Sequence, residues 1–183
     1  MVLDRDRDAV AQAFVARVVA AHDALQLGEL ADHVGQQVGL GQARGLLGED
    51  ALFILGVDLV KAPETLVAAY DDSQGVTAAF NRNVLIRANH ELDADFDVDA
   101  FVHRAVWNPD ASRMEMHLQA IAPTTAHIGG RTFRFMTGET IHTESSRKFT
   151  PESIQAMAAA SGWTVVRIDT SPAPSVALAV LRA

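Results

Sequence analysis

An α/β fold is what this sequence predicts, and three observations carry the prediction. A continuous apolar run, ALFILGVDLV at Ala51 to Val60, reads as a strand buried on both faces of a parallel sheet. From Phe101 onward the pattern changes to short alternating segments separated by turn residues, the mark of antiparallel strands. Between and after these lie segments with helical periodicity and explicit start signals, Pro63-Glu64 and Thr150-Pro151.

Taken in order, residues 5–27 read as an amphipathic helix with Val10, Phe14, Val18 and Leu25 on its apolar side, and Gly28 is placed to end it. Gly35 to Gly48 is glycine-rich and predicts a loop or a weak helix. Within it, Gly39, Gly41 and Gly45, followed by Asp58, have the spacing of a dinucleotide loop. No apolar strand precedes Gly39, however, and Gly45 and Gly48 interrupt the helix that should meet the phosphates. After the Ala51–Val60 strand, which ends at Asp58-Leu-Val-Lys61, Pro63 starts a helix through Leu66, Val67 and Tyr70 to about Asp72. A second helix is expected over about Gly75–Glu91, with Val76, Phe80, Val84 and Leu85 at helical spacing.

Asp93, Asp95, Asp97 and Asp99 imitate a calcium loop. Val98 stands where the loop needs glycine and Arg104 where it needs an acid, so Asp97 or Asp99 is read as a cap. Strands are expected at Phe101–Trp107, Arg113–Ile121 and Arg131–Met136, with turns at Asn108-Pro-Asp110 and Gly129-Gly130. The stretch Thr143 to Phe149 alternates like another strand, which places Glu144 and Ser146 on one face and Ser145 and Arg147 on the other. A carboxylate beside a hydroxyl, just ahead of a capped helix, is a small polar recognition surface. Thr150-Pro151 then opens a helix that stops at Gly162, followed by strands at Trp163–Asp169 and Ser175–Leu181.

Composition narrows the function. The chain has 183 residues, 49% of them hydrophobic and 21% charged, enough for a core without staples. Zero cysteines exclude disulfides, thiolate metal sites and cysteine nucleophiles. A net charge of −8, with Lys61 and Lys148 the only lysines, leaves no basic footprint for nucleic acid. The apolar runs are too short for a bilayer and MVLDRDRDAV is no signal peptide, so a cytoplasmic protein is expected. Seven histidines include no helical His-x-x-x-His pair, and the His-x-Glu at His142 lacks the Pro-Cys-x-x-Cys of zinc deaminases; no metal site is assigned. Tyr70, the sole tyrosine, follows a strand–helix transition and precedes Asp71-Asp72.

Five stretches carry a resemblance: GVDLVK at 56–61, AYDDSQGVTAAFNRNVL at 69–85, NHELDADFDVDAF at 89–101, RMEMHL at 113–118 and TESSRKF at 143–149. In order and spacing they resemble the S-adenosylmethionine-dependent, histidine-specific Nα-methyltransferases, whose type member makes trimethylhistidine for ergothioneine. The resemblance covers roughly residues 42–183, as far as motif-length stretches can define it.

It implies a partial Rossmann-like class I methyltransferase fold with an inserted α+β substrate-binding domain. Residues 51–61 and 150–183 would belong to the methyltransferase sheet and 62–149 to the substrate domain, with 1–50 an unmatched helical segment. It also implies that Tyr70 holds the substrate's amino-acid head, that Glu144 and Ser146 grip the imidazole, and that Met116 lines the pocket. S-adenosylmethionine is the implied cofactor and histidine the implied small-molecule partner. The family's glycine-rich cofactor motifs lie upstream of GVDLVK and have no counterpart in the first 41 residues. The expectation is therefore an incomplete or truncated member, a degenerate copy serving as a non-catalytic binding or interaction module, or a chain whose sheet a partner chain completes, with a homo-oligomer as a further option. An exposed sheet edge on Ala51–Val60 goes with each of these.

Overall fold

A computed structural model describes residues 39–173 and 175–183. The elements are helix α1 (39–47 as described), β1 (Leu52–Asp58), α2 (Pro63–Tyr70), α3 (Val76–Glu91), β2 (Phe101–Asn108), β3 (Arg113–Ala120), β4 (Thr124–Ile128), β5 (Arg131–Phe135), β6 (Thr140–Arg147), α4 (Pro151–Ala160), β7 (Thr164–Thr170) and β8 (Val176–Arg182). The helix expected over residues 5–27, with Gly28, lies outside the described residues. This is a mixed α/β protein that divides into two compact units.

The first unit holds 64–107 and 114–145. Its core is built from Leu85 and Ala88 of α3, Phe101 of β2, Leu118 and Ala120 of β3, Ile141 of β6, and Phe133 and Phe135 of β5. β2, β3 and β6 form one sheet in the order β2-β3-β6, and β4 pairs antiparallel with β5 as a separate hairpin. Gly129 and Gly130 turn that hairpin at φ 57° and 70°, the left-handed geometry a two-residue turn demands. Helix α3 begins at Gly75, also left-handed at φ 71°. Gly75 offers no capping side chain, so Asp72 fills the role: its carboxylate accepts from Val76 N at 3.0 Å and Thr77 N at 2.8 Å. Asp97 caps the short 3₁₀ turn Val98–Ala100 by accepting from the Asp99 N–H.

The Asp72 cap has a pH signature. The Thr77 hydrogen bonds, then the one from Val76 N–H, favour the ionised form and hold its carboxyl down at about 2. A depressed carboxylate contributes stability above its unfolded value and loses it as pH falls through the folded one, so this cap should fail between about pH 4 and pH 2. NMR titration of the Asp72 side-chain carbon should show a midpoint near 2. A midpoint near 4 would mean that the cap is not formed.

The second unit comprises 39–63, 108–113 and 146–183 as described. Its sheet has the order β1-β8-β7 with both pairings antiparallel, so the expectation of a parallel partner for Ala51–Val60 is corrected. Among the described residues, an isolated bridge from Leu59 to Phe149 is parallel. Burial on both faces is corrected as well. Phe53, Leu55 and Val57 pack on the core with Ile154 and Met157 of α4, whereas Leu52 and Ile54 are 62% and 69% exposed. An unbroken apolar run is the same string whether one face is covered or two, so sequence could not separate the cases. Among the described residues, β1 is an edge strand.

The glycine-rich stretch is helical over 39–47 and not a loop. Tertiary contacts override the glycine penalty: Leu40 is buried, Trp163 Nε1 donates to the Leu40 carbonyl at 2.9 Å, and Arg44 Nε donates to the Gly162 carbonyl. Helix α4 starts as its sequence dictates, with Thr150 and Ser153 bonding each other's backbone in a reciprocal cap and proline in the first turn.

Candidate functional site

In the first unit, α2 ends on Tyr70, and its end is tied down from below. A carbonyl can only accept, so His103 Nε2–H donates to Tyr70 O at 2.7 Å. His103 Nδ1 then accepts from Asn81 Nδ2 at 2.9 Å, and Asn81 Nδ2 also lies 3.1 Å from the His117 carbonyl. Asn81 is 2% exposed and belongs to the buried stripe of α3 with Leu85 and Ala88. This network was missed in the sequence. The available signal was an amide four residues before Leu85 on the buried face, where a polar side chain persists only with partners.

Met116 lies on the covered face of β3, with Met114 and Leu118. Its carbonyl accepts from Thr143 Oγ1 at 2.9 Å, which fastens β6 to β3 one residue before Glu144. Alternation along β6 buries Ile141 and Thr143 and leaves Glu144 exposed on the opposite face, with His142. Met116 and Glu144 therefore sit on adjacent strands but face opposite ways. On the Glu144 face stand Glu115 and His117 of β3, and the His117 and His142 rings stack at 4.7 Å with an interplanar angle of 22°.

Ser146, in the second unit, is half-buried, and Lys148 Nζ donates to its Oγ at 2.9 Å. Lys148 is 1% exposed, an unusual place for an ammonium. Its charge is met by Asp58 Oδ2 at 3.0 Å, at the carboxyl end of β1, and Lys61 pairs with the other Asp58 oxygen. Burial pushes the Asp58 carboxyl up, but hydrogen bonds and charge from Lys61 and Lys148 outweigh it, and the group lies below the ordinary carboxylate value. The Lys148 backbone is held too: its N–H donates to the Ser112 carbonyl, and Ser112 Oγ donates to its carbonyl at 2.9 Å.

The fold is that of a mixed α/β protein, with Glu144 exposed on β6 in the first unit and Lys148 buried in the second. Comparison with known proteins makes the class specific. A family model described as histidine-specific methyltransferase, SAM-dependent, matches residues 25–183, and the chain belongs to that family. It is 48% identical over 122 residues to a histidine N-alpha-methyltransferase of Mycolicibacterium smegmatis, covering 66% of this chain and 38% of the relative. Identity to the histidine N-alpha-methyltransferase of Mycobacterium tuberculosis is 47% over 131 residues, 70% of this chain and 41% of that one. An N-methyltransferase, fsqC, of Aspergillus fumigatus is 32% identical over 124 residues, 67% of this chain and 33% of its own length. The matches thus span well under half the length of these relatives. Among the described residues no helix is long and apolar enough to cross a membrane.

Proposed function

We propose that this chain carries the histidine-recognising part of an S-adenosylmethionine-dependent Nα-methyltransferase, which converts histidine to trimethylhistidine in the cytoplasm. The observation that carries the reading is Glu144, exposed on β6, with Ser146 two residues on along the same strand and held by Lys148. A neutral imidazole offers one N–H donor and one lone pair. Glu144 is exposed and, when ionised, can only accept, so it suits the N–H. Lys148 can only donate, so Ser146 Oγ accepts there, and a serine hydroxyl also has a proton of the kind the ring's lone pair takes. The family resemblance also assigns Tyr70 to the amino-acid head and Met116 to the pocket wall; Met116 lies on the covered face of β3, opposite Glu144, so the imidazole grip is argued from Glu144 and Ser146 alone. A side chain that cannot donate would leave Glu144 desolvated and unpaired, which is the basis of selectivity for histidine.

On this reading 62–149 is the substrate domain, and 51–61 with 150–183 is methyltransferase sheet. The closing helix α4 and the strand pair β7–β8, laid against β1, support that division. Methyl transfer needs the sulfonium cofactor, and the described residues do not fit it: Gly39, Gly41 and Gly45 lie inside helix α1 and form no strand–turn–helix cradle. That same observation favours a second reading, histidine binding without transfer by this chain alone, with catalysis requiring a partner chain or second copy along the β1 edge.

Calorimetric titration with histidine tests recognition. Binding should saturate and should weaken about 10- to 100-fold in Glu144→Ala, the loss of one hydrogen bond to a charged group. Equal binding by the variant, or none by the wild type, would remove Glu144 from the site. Titration with S-adenosylhomocysteine separates the two readings: binding supports transfer by this chain, and its absence supports binding alone.

A further inference from the structure

Glu115, His117 and His142 form a cluster that histidine recognition does not use. Glu115 and His117 are two residues apart on β3, hence on one face, and His142 joins them from β6. One donor atom from each lies within 4.8 Å of the other two, and all three residues are half-buried. From this geometry we infer a divalent-cation site of the zinc class, built from two imidazoles and one carboxylate on the outer face of the β3–β6 strand pair.

The chemistry of the donors fits. Zinc takes imidazole nitrogen and carboxylate oxygen at about 2.0–2.2 Å, which sets tetrahedral ligand atoms about 3.3 Å apart. Glu115 Oε2 and His117 Nε2 are already 3.1 Å apart, with side chains only 12% and 15% exposed. His142 is oriented as metal-bound histidines are. Its Nε2 is 3.0 Å from the Glu144 carbonyl, which can only accept, so Nε2 carries the proton and the neutral ring keeps its lone pair on Nδ1. Ser145 Oγ, 3.0 Å from the same Nε2, shares that hydrogen bond.

A second observation points to a ligand independently. His117 Nδ1 is buried with no hydrogen-bond partner among the described residues, a state folded proteins rarely leave unresolved. Turning that ring toward a metal gives up its hydrogen bond to Glu115, which itself becomes a ligand, and its stack on His142, the third ligand. A histidine ligand binds through one ring nitrogen and keeps its proton on the other, so the neutral His117 ring loses no proton to solvent; three metal–ligand bonds form and no redox step is involved. Three protein ligands leave a fourth position for water. Sequence alone could not show the cluster, because His142 lies 25 positions from His117 and only the β3–β6 pairing brings them together.

The test is equilibrium dialysis of the untagged, chelator-treated chain against zinc, without histidine or S-adenosylmethionine, so that it stands apart from the methyltransferase reading. One zinc per chain is expected. Affinity should fall about 10- to 100-fold in His117→Ala and in His142→Ala, and in Glu115→Gln as well. The zinc-induced rise in melting temperature should vanish in the same variants, with circular dichroism verifying that each has folded. His127→Ala, which removes a histidine on β4 paired with Asp95, should leave zinc binding unchanged. No stoichiometric zinc, or binding undiminished in the folded Glu115, His117 and His142 variants, overturns the site.

Discussion

Phe101→Ala should cost the first unit about 3–5 kcal/mol, the range for emptying a phenylalanine site in a packed core. Phe101 is 1% exposed and holds two other rings in place. Phe135 meets it edge-on at 5.3 Å and 83°, and Phe96 at 6.3 Å and 66°. Phe135 and Phe96 also contact each other at 6.5 Å, so truncating Phe101 opens a void at the centre of a trio. Collapse around the void is resisted because β2, β5 and the segment before the 3₁₀ turn each carry one ring. Urea unfolding followed by circular dichroism gives the loss directly, and Phe101→Leu should recover more than half of it. A loss below about 1 kcal/mol would mean that this core is loosely packed.

Much of this architecture was written in local chemistry. Gly75, Asn108-Pro-Asp110, Gly129-Gly130 and Thr150-Pro151 mark the ends of α3, β2, β5 and α4 because each solves a problem confined to a few residues: a left-handed φ, a tight turn, an orphaned N–H. What could not be read was non-local. Nothing in LFILGVD reveals that its partner is VALAVLR, more than a hundred positions on, or that the pairing is antiparallel. Helix α1 defeats its glycines through a bond from Trp163 to Leu40, also distant in the chain.

The site follows the same rule. The shared face of Glu144 and Ser146 follows from period-two alternation alone, which is local. The burial of Lys148, the Asn81–His103 brace under Tyr70, and the separation of Met116 from Glu144 onto opposite faces all depend on which strands and helices become neighbours.

Asp58→Asn should be the most damaging polar change, at about 2–4 kcal/mol, because it strands the Lys148 cation in the interior. Lys148 is 1% exposed while Asp58 is 31% exposed, so the pair is asymmetric: losing the carboxylate leaves a buried charge, and losing the lysine leaves a carboxylate that Lys61 and water still serve. Lys148→Met should therefore cost about 1 kcal/mol or less, since an apolar chain of similar length fills the space without a desolvated charge. The double variant Asp58→Asn/Lys148→Met should be more stable than Asp58→Asn alone, a sign of coupling that non-interacting sites cannot give.

Acid should act the same way. With Asp58 held below its ordinary value of 3.8, its contribution is present above that pH and is lost as pH falls through the depressed value. Function separates from stability at this pair. Lys148→Met removes the donor that orients Ser146 and should weaken histidine binding while sparing the fold, whereas Asp58→Asn should weaken the fold first. Chemical denaturation and histidine titration of the three variants together check both halves. If Lys148→Met proves the more destabilising single change, the buried ammonium is held chiefly by Ser146 and its other contacts, and Asp58 is not its essential counter-charge.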